Sequence, residues 1–494
     1  MDEPQYVFPP RRTNGVIGKI SLAQMAAIVL GIALPWLGVQ MGSIVVFAVL
    51  LVAGGAIVWF SFMRIGGRFI GEWARPAAGA LWSWLRRSGV YRGAVFGPGS
   101  LAHRMDLPGD LAGVRMISAP NPDGHNRVGL CVDEVHRTVT AALLTQGTPI
   151  VLEESAEQQG RLDDWEAVME SMTDTDTAIT RWQLLFRSMP DSTNMAQQYY
   201  LDRVPDRDTL PAQALRELVS QAAPTAQRHE VFFVVALDLD RLAGDIKASG
   251  GDDAAIGVVA VERLAELQRQ ITEARIPVRG WLSPGHYAAV IHSQFDPDSL
   301  PLYDLQSSPR HELDPRTAGP SATERQWGVY RHDSAVSSTL WVHELPRRRV
   351  KASWLAPLLQ QGDVRRSISL VAEPLPVDRA ERSVRNQELA AGGTIYMKQK
   401  HGLVVDSRTV KEFQAAQRLD EEIAEGAGYV RYSMFVTVTA ATPEELRRAV
   451  TAVRRRLTRI RCMSMVLYGE QDQGFFTSLP LARGLSPMRG LTGS

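Results

Sequence analysis

Apolar positions dominate from Ile20 to Met63, and between Lys19 and Arg64 there is no Asp, Glu, Lys, Arg or His. The run divides into Ile20–Leu37 and Ser43–Met63, joined by Gly38-Val39-Gln40-Met41-Gly42. A bilayer core of roughly 30 Å takes about 20 apolar residues as helix, and in lipid a single chain satisfies its backbone only as helix. The second segment (IVVFAVLLV) is the clearer span; the first is shorter, and Pro35 is expected to end or kink it. The pattern thus predicts a transmembrane helical hairpin. Arg11, Arg12 and Lys19 precede it, Arg64, Arg68, Arg75, Arg86 and Arg87 follow it, and its turn is uncharged. The positive-inside rule then places both termini in the cytoplasm of a multi-pass cell-membrane protein, with 38–42 outside. Trp36 and Trp59 suit the two membrane interfaces. No Ala-x-Ala-like site separates the segments, so signal-peptide removal is not expected.

Beyond the hairpin, Phe69–Leu85 carries Trp73, Trp82 and Trp84 among small residues. Two readings stand: a helix lying on the membrane, or a soluble helix packed on the first lobe. From Met105 the periodicity becomes that of an α/β chain. Val114–Ser118, Arg127–Val132, Thr177–Ser188 and Glu230–Leu239 predict strands, and His136–Thr145 is strand-like in its first half. Helices are expected over Thr209–Ala222 and Asp252–Ala274, and from the capping box Ser155-Ala156-Glu157-Gln158 onward. Residues 296–325 are rich in Pro, Ser, Asp and Arg and predict a linker. Strands are then expected at Ser338–Leu345, Arg366–Glu373, Tyr432–Thr439 and Cys462–Tyr468. Helical segments are expected at Trp354–Leu359 and Ser407–Glu425, and after Thr442-Pro443-Glu444-Glu445. The resulting organisation is an arm (1–19), the hairpin (20–64), a juxtamembrane helix and connector (65–104), a first α/β lobe (105–295), a linker (296–335) and a second α/β lobe (336–494). Glu230–Ala274 and Tyr432–Arg461 share a strand-then-amphipathic-helix cadence, as two copies of one βαβ-type layered module would.

Composition adds little direction. Hydrophobic content of 45% with 22% charged residues is that of a folding chain, and zero net charge gives no field for nucleic acid, so no direct nucleic-acid binding is expected. Cys131 and Cys462 lie in apolar runs without a CxxC partner and predict two buried thiols. No GxxxxGK[ST], HExxH or GxSxG occurs, so no catalytic residue, cofactor or metal is assigned. Gly250-Gly251-Asp252-Asp253 is a helix cap, and Gly392-Gly393-Thr394 is expected to be a turn before a strand. Asp133, Glu134 and His136 are expected on the solvated face of a strand. Arg347-Arg348-Arg349 with Lys351, and Arg454-Arg455-Arg456 with Arg459 and Arg461, are the densest basic groups. Arg455 and Arg459 share a helix face at i, i+4. The group Arg454, Arg455, Arg456 and Arg459 is the candidate partner contact, for an acidic protein or anionic lipid.

The basic arm with its uncharged hairpin (RRTNGVIGKISLAQM), Pro346–Leu359 (PRRRVKASWLAPLL) and Phe435–Val450 (FVTVTAATPEELRRAV) together resemble a known group. It comprises the actinobacterial membrane proteins with a PrgI-like two-helix N-terminus that are associated with type IV secretion or conjugation systems. Gln471–Leu481 (QDQGFFTSLPL) resembles the stretch preceding the motor domain of VirB-type traffic ATPases. The resemblance implies a membrane subunit fused to the non-motor part of such an ATPase, with the motor absent and no family catalytic residue to carry over. The implied function is a membrane-anchored scaffold that recruits a separate VirB-type ATPase. Its further partners would be the lipid bilayer, other secretion-machine membrane subunits and further copies of itself. An alternative from another class is a membrane-tethered sensor whose α/β lobes bind a small molecule.

Overall fold

The computed structural model describes residues 5–6, 22–65, 89–93, 105–121, 127–146, 155–190, 208–222, 227–300, 313–346, 350–359, 364–375 and 429–484, with scattered positions at 68–80, 200–204 and 382–417. In chain order the elements begin with β1 (Gln5–Tyr6), α1 (Leu22–Gln40), α2 (Ile44–Phe62), β2 (Arg64–Ile65), β3 (Arg68–Phe69) and β4 (Val90–Arg92). Next come β5 (Val114–Pro120), β6 (Arg127–Asp133), β7 (Thr138–Thr145), α3 (Ser155–Ser171), β8 (Ile179–Pro190), α4 (Leu210–Ala222) and β9 (Gln227–Asp238). They continue with α5 (Asp253–Glu273), β10 (Val278–Trp281), α6 (Pro284–Phe295), β11 (Ala322–Arg325), β12 (Tyr330–His332), β13 (Ala335–Glu344) and β14 (Val350–Lys351). The last are α7 (Ala356–Leu359), β15 (Arg365–Leu375), β16 (Tyr429–Ala440), α8 (Pro443–Arg459), β17 (Met463–Val466) and α9 (Gln471–Phe476).

The two N-terminal helices pack antiparallel at three levels. Gln24 Nε2 donates to the Ser61 carbonyl at 3.4 Å, Gly31 backs onto Gly54, and Gly38 lies against the Phe47 backbone. A Cβ at position 54 would sit 2.5 Å from the Gly31 carbonyl oxygen, so only glycine permits the approach. Of the two outcomes expected at Pro35, an end is not seen: α1 continues through it to Gln40. The proline removes only the N–H that would have served the Gly31 carbonyl, and that carbonyl is the group pressed against Gly54. By length and composition one helix, α2 (mean hydropathy 2.6), qualifies for a membrane crossing; the apolar stretch Gln24–Gln40 of α1 is shorter.

Most of the described residues beyond β3 are built on one 13-stranded antiparallel sheet in the order β4-β11-β12-β13-β16-β15-β8-β9-β7-β6-β5, with β10 added to β7 and β17 to β13. The order is a palindrome. Strands β7, β8, β9 and β10 take the order β10-β7-β9-β8, with α3 crossing from β7 to β8 and α5 from β9 to β10. Strands β13, β15, β16 and β17 repeat it as β17-β13-β16-β15, with α7 and α8 in the same places. This is the ferredoxin-like βαββαβ module, present twice. In each copy a hairpin (β5–β6 or β11–β12) pairs the start of the first strand, and a helix (α6 or α9) trails the last. The copies meet edge to edge where β8 pairs β15, Leu185 opposite Ser369. The shared cadence of the two lobes is therefore a topological duplication.

Alternation across the strands divides the core. Phe233, Val235 and Leu237 of β9 pack with α3 and α5, whereas Phe232, Val234 and Ala236 face α6 and α9 on the other side. In the second module Val436 and Val438 meet Leu446, Val453 and Leu457 of α8. Each such side chain taken from water stabilises by about 1.5–3 kcal/mol.

Several expectations are corrected. Residues 322–332, assigned to the linker 296–335, are β11 and β12 of the shared sheet, because Tyr330 and Thr323 are buried in it; 301–312 lie outside the described residues. The second half of His136–Thr145, which the sequence leaves ambiguous, is strand: β7 covers Thr138–Thr145 and is paired by β9 throughout, and 136–137 belong to the preceding turn. Positions 392, 393, 395 and 396 are helical, in place of a turn and strand. Most of Ser407–Glu425 lies outside the described residues. Gly250 and Gly251 take positive φ and Asp252 caps α5 through the Ala255 amide, as the sequence implies.

Candidate functional site

Helix α8 opens with Thr442 accepting from the Glu445 amide and Pro443 in the first turn. With Leu446, Ala449, Val453 and Leu457 buried, the 100° spacing of successive side chains sets Arg448, Arg455 and Arg459 opposite the core. All three are exposed, as is Arg454 on one flank, and none has an ion-pair partner among the described residues. Arg447 is engaged by Glu444 at 3.1 Å. Arg456 is half-buried on the other flank, near the fully buried Arg366, whose pKa falls to about 10 through burial and then the Arg456 charge. The four predicted contact residues therefore separate: Arg454, Arg455 and Arg459 face outward, and Arg456 leans inward. Arg456 and Arg459 also complement the negative end of the helix. Residues Arg347–Arg349 lie outside the described residues.

The predicted interface tryptophans also separate. Trp36 and Trp59 are exposed on α1 and α2. Trp73 instead packs its ring 5.9 Å from Trp327 and 6.0 Å from Tyr468, while Pro76 abuts Gly469. The connector thus docks on the second module, not on the first lobe. Trp82 and Trp84 lie outside the described residues. At the chain's start, β1 pairs β14 through Gln5–Lys351 and Tyr6–Val350. Both ends of the α1–α2 pair therefore return to the sheet unit.

A buried polar seam behind the sheet was invisible in the sequence. The segment after α9, Thr477–Arg483, crosses the first module as a strap. Gln183, fully buried on β8, donates through Nε2 to Thr477 O (2.8 Å), Leu479 O (3.1 Å) and Ser369 Oγ (2.8 Å), and its Oε1 accepts from the Ala482 amide (2.8 Å). Tyr287 donates to the Pro480 carbonyl, and Arg483 pairs with Asp133. Asp133 is thus buried, contrary to its assignment to a solvated face. It accepts from the Val135 and His136 amides and so fixes the β6–β7 turn as well. The clasp is reciprocal: Arg181 Nη1 donates to Ala482 O, and Arg365 Nη2 to Pro297 O, both at 3.4 Å. Each module's inner-strand arginine holds the segment trailing the other module.

Nearby, His332 lies between the Phe295 carbonyl and Ser337 Oγ (2.8 Å), and burial lowers its pKa to about 4. Arg187 is buried among the Val290 carbonyl, Ser293 Oγ and Glu230, and burial lowers its pKa. A lone Gln within the apolar run Trp182–Phe186 was the one sequence signal available for this seam. No group of three metal-ligating side chains occurs among the described residues. No family model matches the chain, and a search of curated proteins finds no match.

Proposed function

We propose that this chain is a membrane-anchored scaffold subunit of a type IV secretion-like or conjugative transfer machine, which recruits a separate motor ATPase through the outward arginine face of α8. The observation that carries the reading is the exposure of Arg448, Arg454, Arg455 and Arg459 on a helix whose apolar side is spent on its own core. Charges placed this way steer encounter with an acidic surface and weaken with salt. The clasped double module is a rigid platform, and Trp73 ties it to α2, as a scaffold requires.

Placing both termini in the cytoplasm is part of the proposal. It is supported by the return of β1 and of the connector to the same sheet unit, and it makes α1 the second span beside α2. Single cysteines at Gln40 and Ser100, in a chain lacking Cys131 and Cys462, test it with an impermeant thiol reagent on intact cells. Labelling at 40 and not at 100 is expected; the reverse overturns the orientation. Reversal of Arg455 and Arg459 to Glu tests the docking face. The double variant should fold and lose capture of the ATPase from native membranes, and wild-type capture would remove α8 from the interface.

One observation favours the sensor reading instead. A cleft of about 280 Å³ between α5 and the strands beneath it is floored by Val128, Leu264 and Trp281 and rimmed by Gln268, Arg269 and Glu273. That is slightly below the roughly 300–1,000 Å³ of small-molecule sites.

A further inference from the structure

The connector contains a distance constraint. Arg64 and Phe69 are cross-strand partners of the β2–β3 hairpin, so the chain at Phe69 has come back to within about 5 Å of where it left α2. From Phe69 to Trp73 is four residues, which span at most about 14 Å extended, and positions 71 and 73 are helical, which shortens the reach. Trp73 is therefore held within about 20 Å of the end of α2, and the Trp327 ring packs against it, centroids 5.9 Å apart and tilted by 30°. Trp327 also lies 6.4 Å from Tyr468 in a stacked arrangement, yet remains 46% exposed. A tryptophan that is partly packed and partly exposed is the side chain enriched at bilayer interfaces. On the adjoining strand β4, Val90, opposite Glu324 near the turn end of β11, is 53% exposed.

We infer that the β11–β12 turn is a second membrane contact, in which Trp327 enters the headgroup layer of the bilayer that α2 crosses. The occupant is a lipid surface rather than a protein, because the patch is continuous with the connector of the membrane helix. Trp327 and Trp73 then form one aromatic block, its inner ring fastening the connector and its outer ring resting on lipid. The second module is held against the membrane at that edge, and the sheet's opposite edge, at β5, stands away from it. This inference rests on the membrane reading of α2, and the test separates the two.

Full-length protein lacking Cys131 and Cys462 is placed in nanodiscs of phosphatidylcholine with phosphatidylglycerol and spin-labelled singly at position 49, 90, 327 or 135. Val49 is a lipid-facing control on α2, and Val135 an exposed control on the β6–β7 turn. Power saturation with oxygen and with a water-soluble nickel chelate reads depth. Labels at 327 and 90 are expected at interface depth, several-fold more protected from nickel than the label at 135. Water-like accessibility at 327 and 90, with 49 in lipid, overturns the contact and leaves the membrane helix standing. Water-like accessibility at 49 overturns both. Because a cysteine at 327 removes a packed ring, the unlabelled chain gives an independent measurement. Brominated lipid should quench wild-type fluorescence more than that of Trp327→Phe, and equal quenching counts against the inference.

Discussion

Replacing Gln183 with Met isolates the hydrogen bonds of the strap from its packing. The two side chains have similar length and volume, so the change opens little cavity. It deletes two donor protons, shared among three acceptors, and one accepted bond. At a net of about 1 kcal/mol for each proton and for the accepted bond, the loss is about 3 kcal/mol. The Thr477 carbonyl and the Ala482 amide are buried with Gln183, whereas the Leu479 carbonyl keeps the Leu481 amide at 2.8 Å, so the figure sits toward the upper end of single substitutions. The strap is one short segment, held by Gln183 together with Tyr287, Arg181, Gln294 and the Arg483–Asp133 pair, and should open locally. Hydrogen exchange of the full chain, followed by mass spectrometry, should show protection across residues 475–483 falling about a hundredfold, tenfold per 1.4 kcal/mol. Gln294→Met removes the 3.1 Å bond to Ser478 Oγ and the 3.3 Å bond from Ser367, and should cost about two-thirds as much. Unchanged exchange in a folded Gln183→Met chain would mean that the packing of Phe475, Phe476 and Leu479 and the remaining partners hold the strap, and the hydrogen-bond argument for Gln183 would be wrong.

Gly54→Leu should part α1 from α2, because the new Cβ meets the Gly31 carbonyl at 2.5 Å; oxidative cross-linking between cysteines at Gln24 and Ser61 should fall several-fold, and full yield would refute the close approach. His332 titrates near 4 when folded against an ordinary 6.5, so between those values the unfolded chain binds more protons and stability rises with pH. The contribution is complete above about pH 6.5 and is lost toward pH 4, worth about 3 kcal/mol in all. The drop in urea midpoint between pH 7 and pH 4.5 should be smaller in His332→Gln, and an equal drop would assign the acid sensitivity elsewhere. Arg127 caps the outer carbonyl of Ser118 on the edge strand β5 at 2.8 Å, so Arg127→Ala should raise self-association of the full chain in light scattering, edge strands being templates for pairing.

Local patterns in the chain determined much of this protein. The charge-free run marked two helices, β-branched runs marked β8, β9 and β16, and capping residues at Asp252 and Thr442 marked the starts of α5 and α8. Period and cap chemistry act over a few residues, so they survive without knowledge of what lies across the core. The duplication was audible as a cadence, and the direction of the α8 arginines followed from its apolar stripe. What only the tertiary structure decided depends on residues far apart in sequence. A Pro- and Arg-rich stretch became β11 and β12 because a sheet edge was there to pair it. Asp133 turned inward because Arg483, 350 positions away, arrives to meet it. Gln183 was one polar letter in an apolar strand until a strap brought backbone groups to its amide. Trp73 looked like a membrane anchor by composition, and it packs on protein because Trp327 and Tyr468 stand opposite. Hydrogen bonding and aromatic packing act only at contact distance, so these choices belong to the assembled fold.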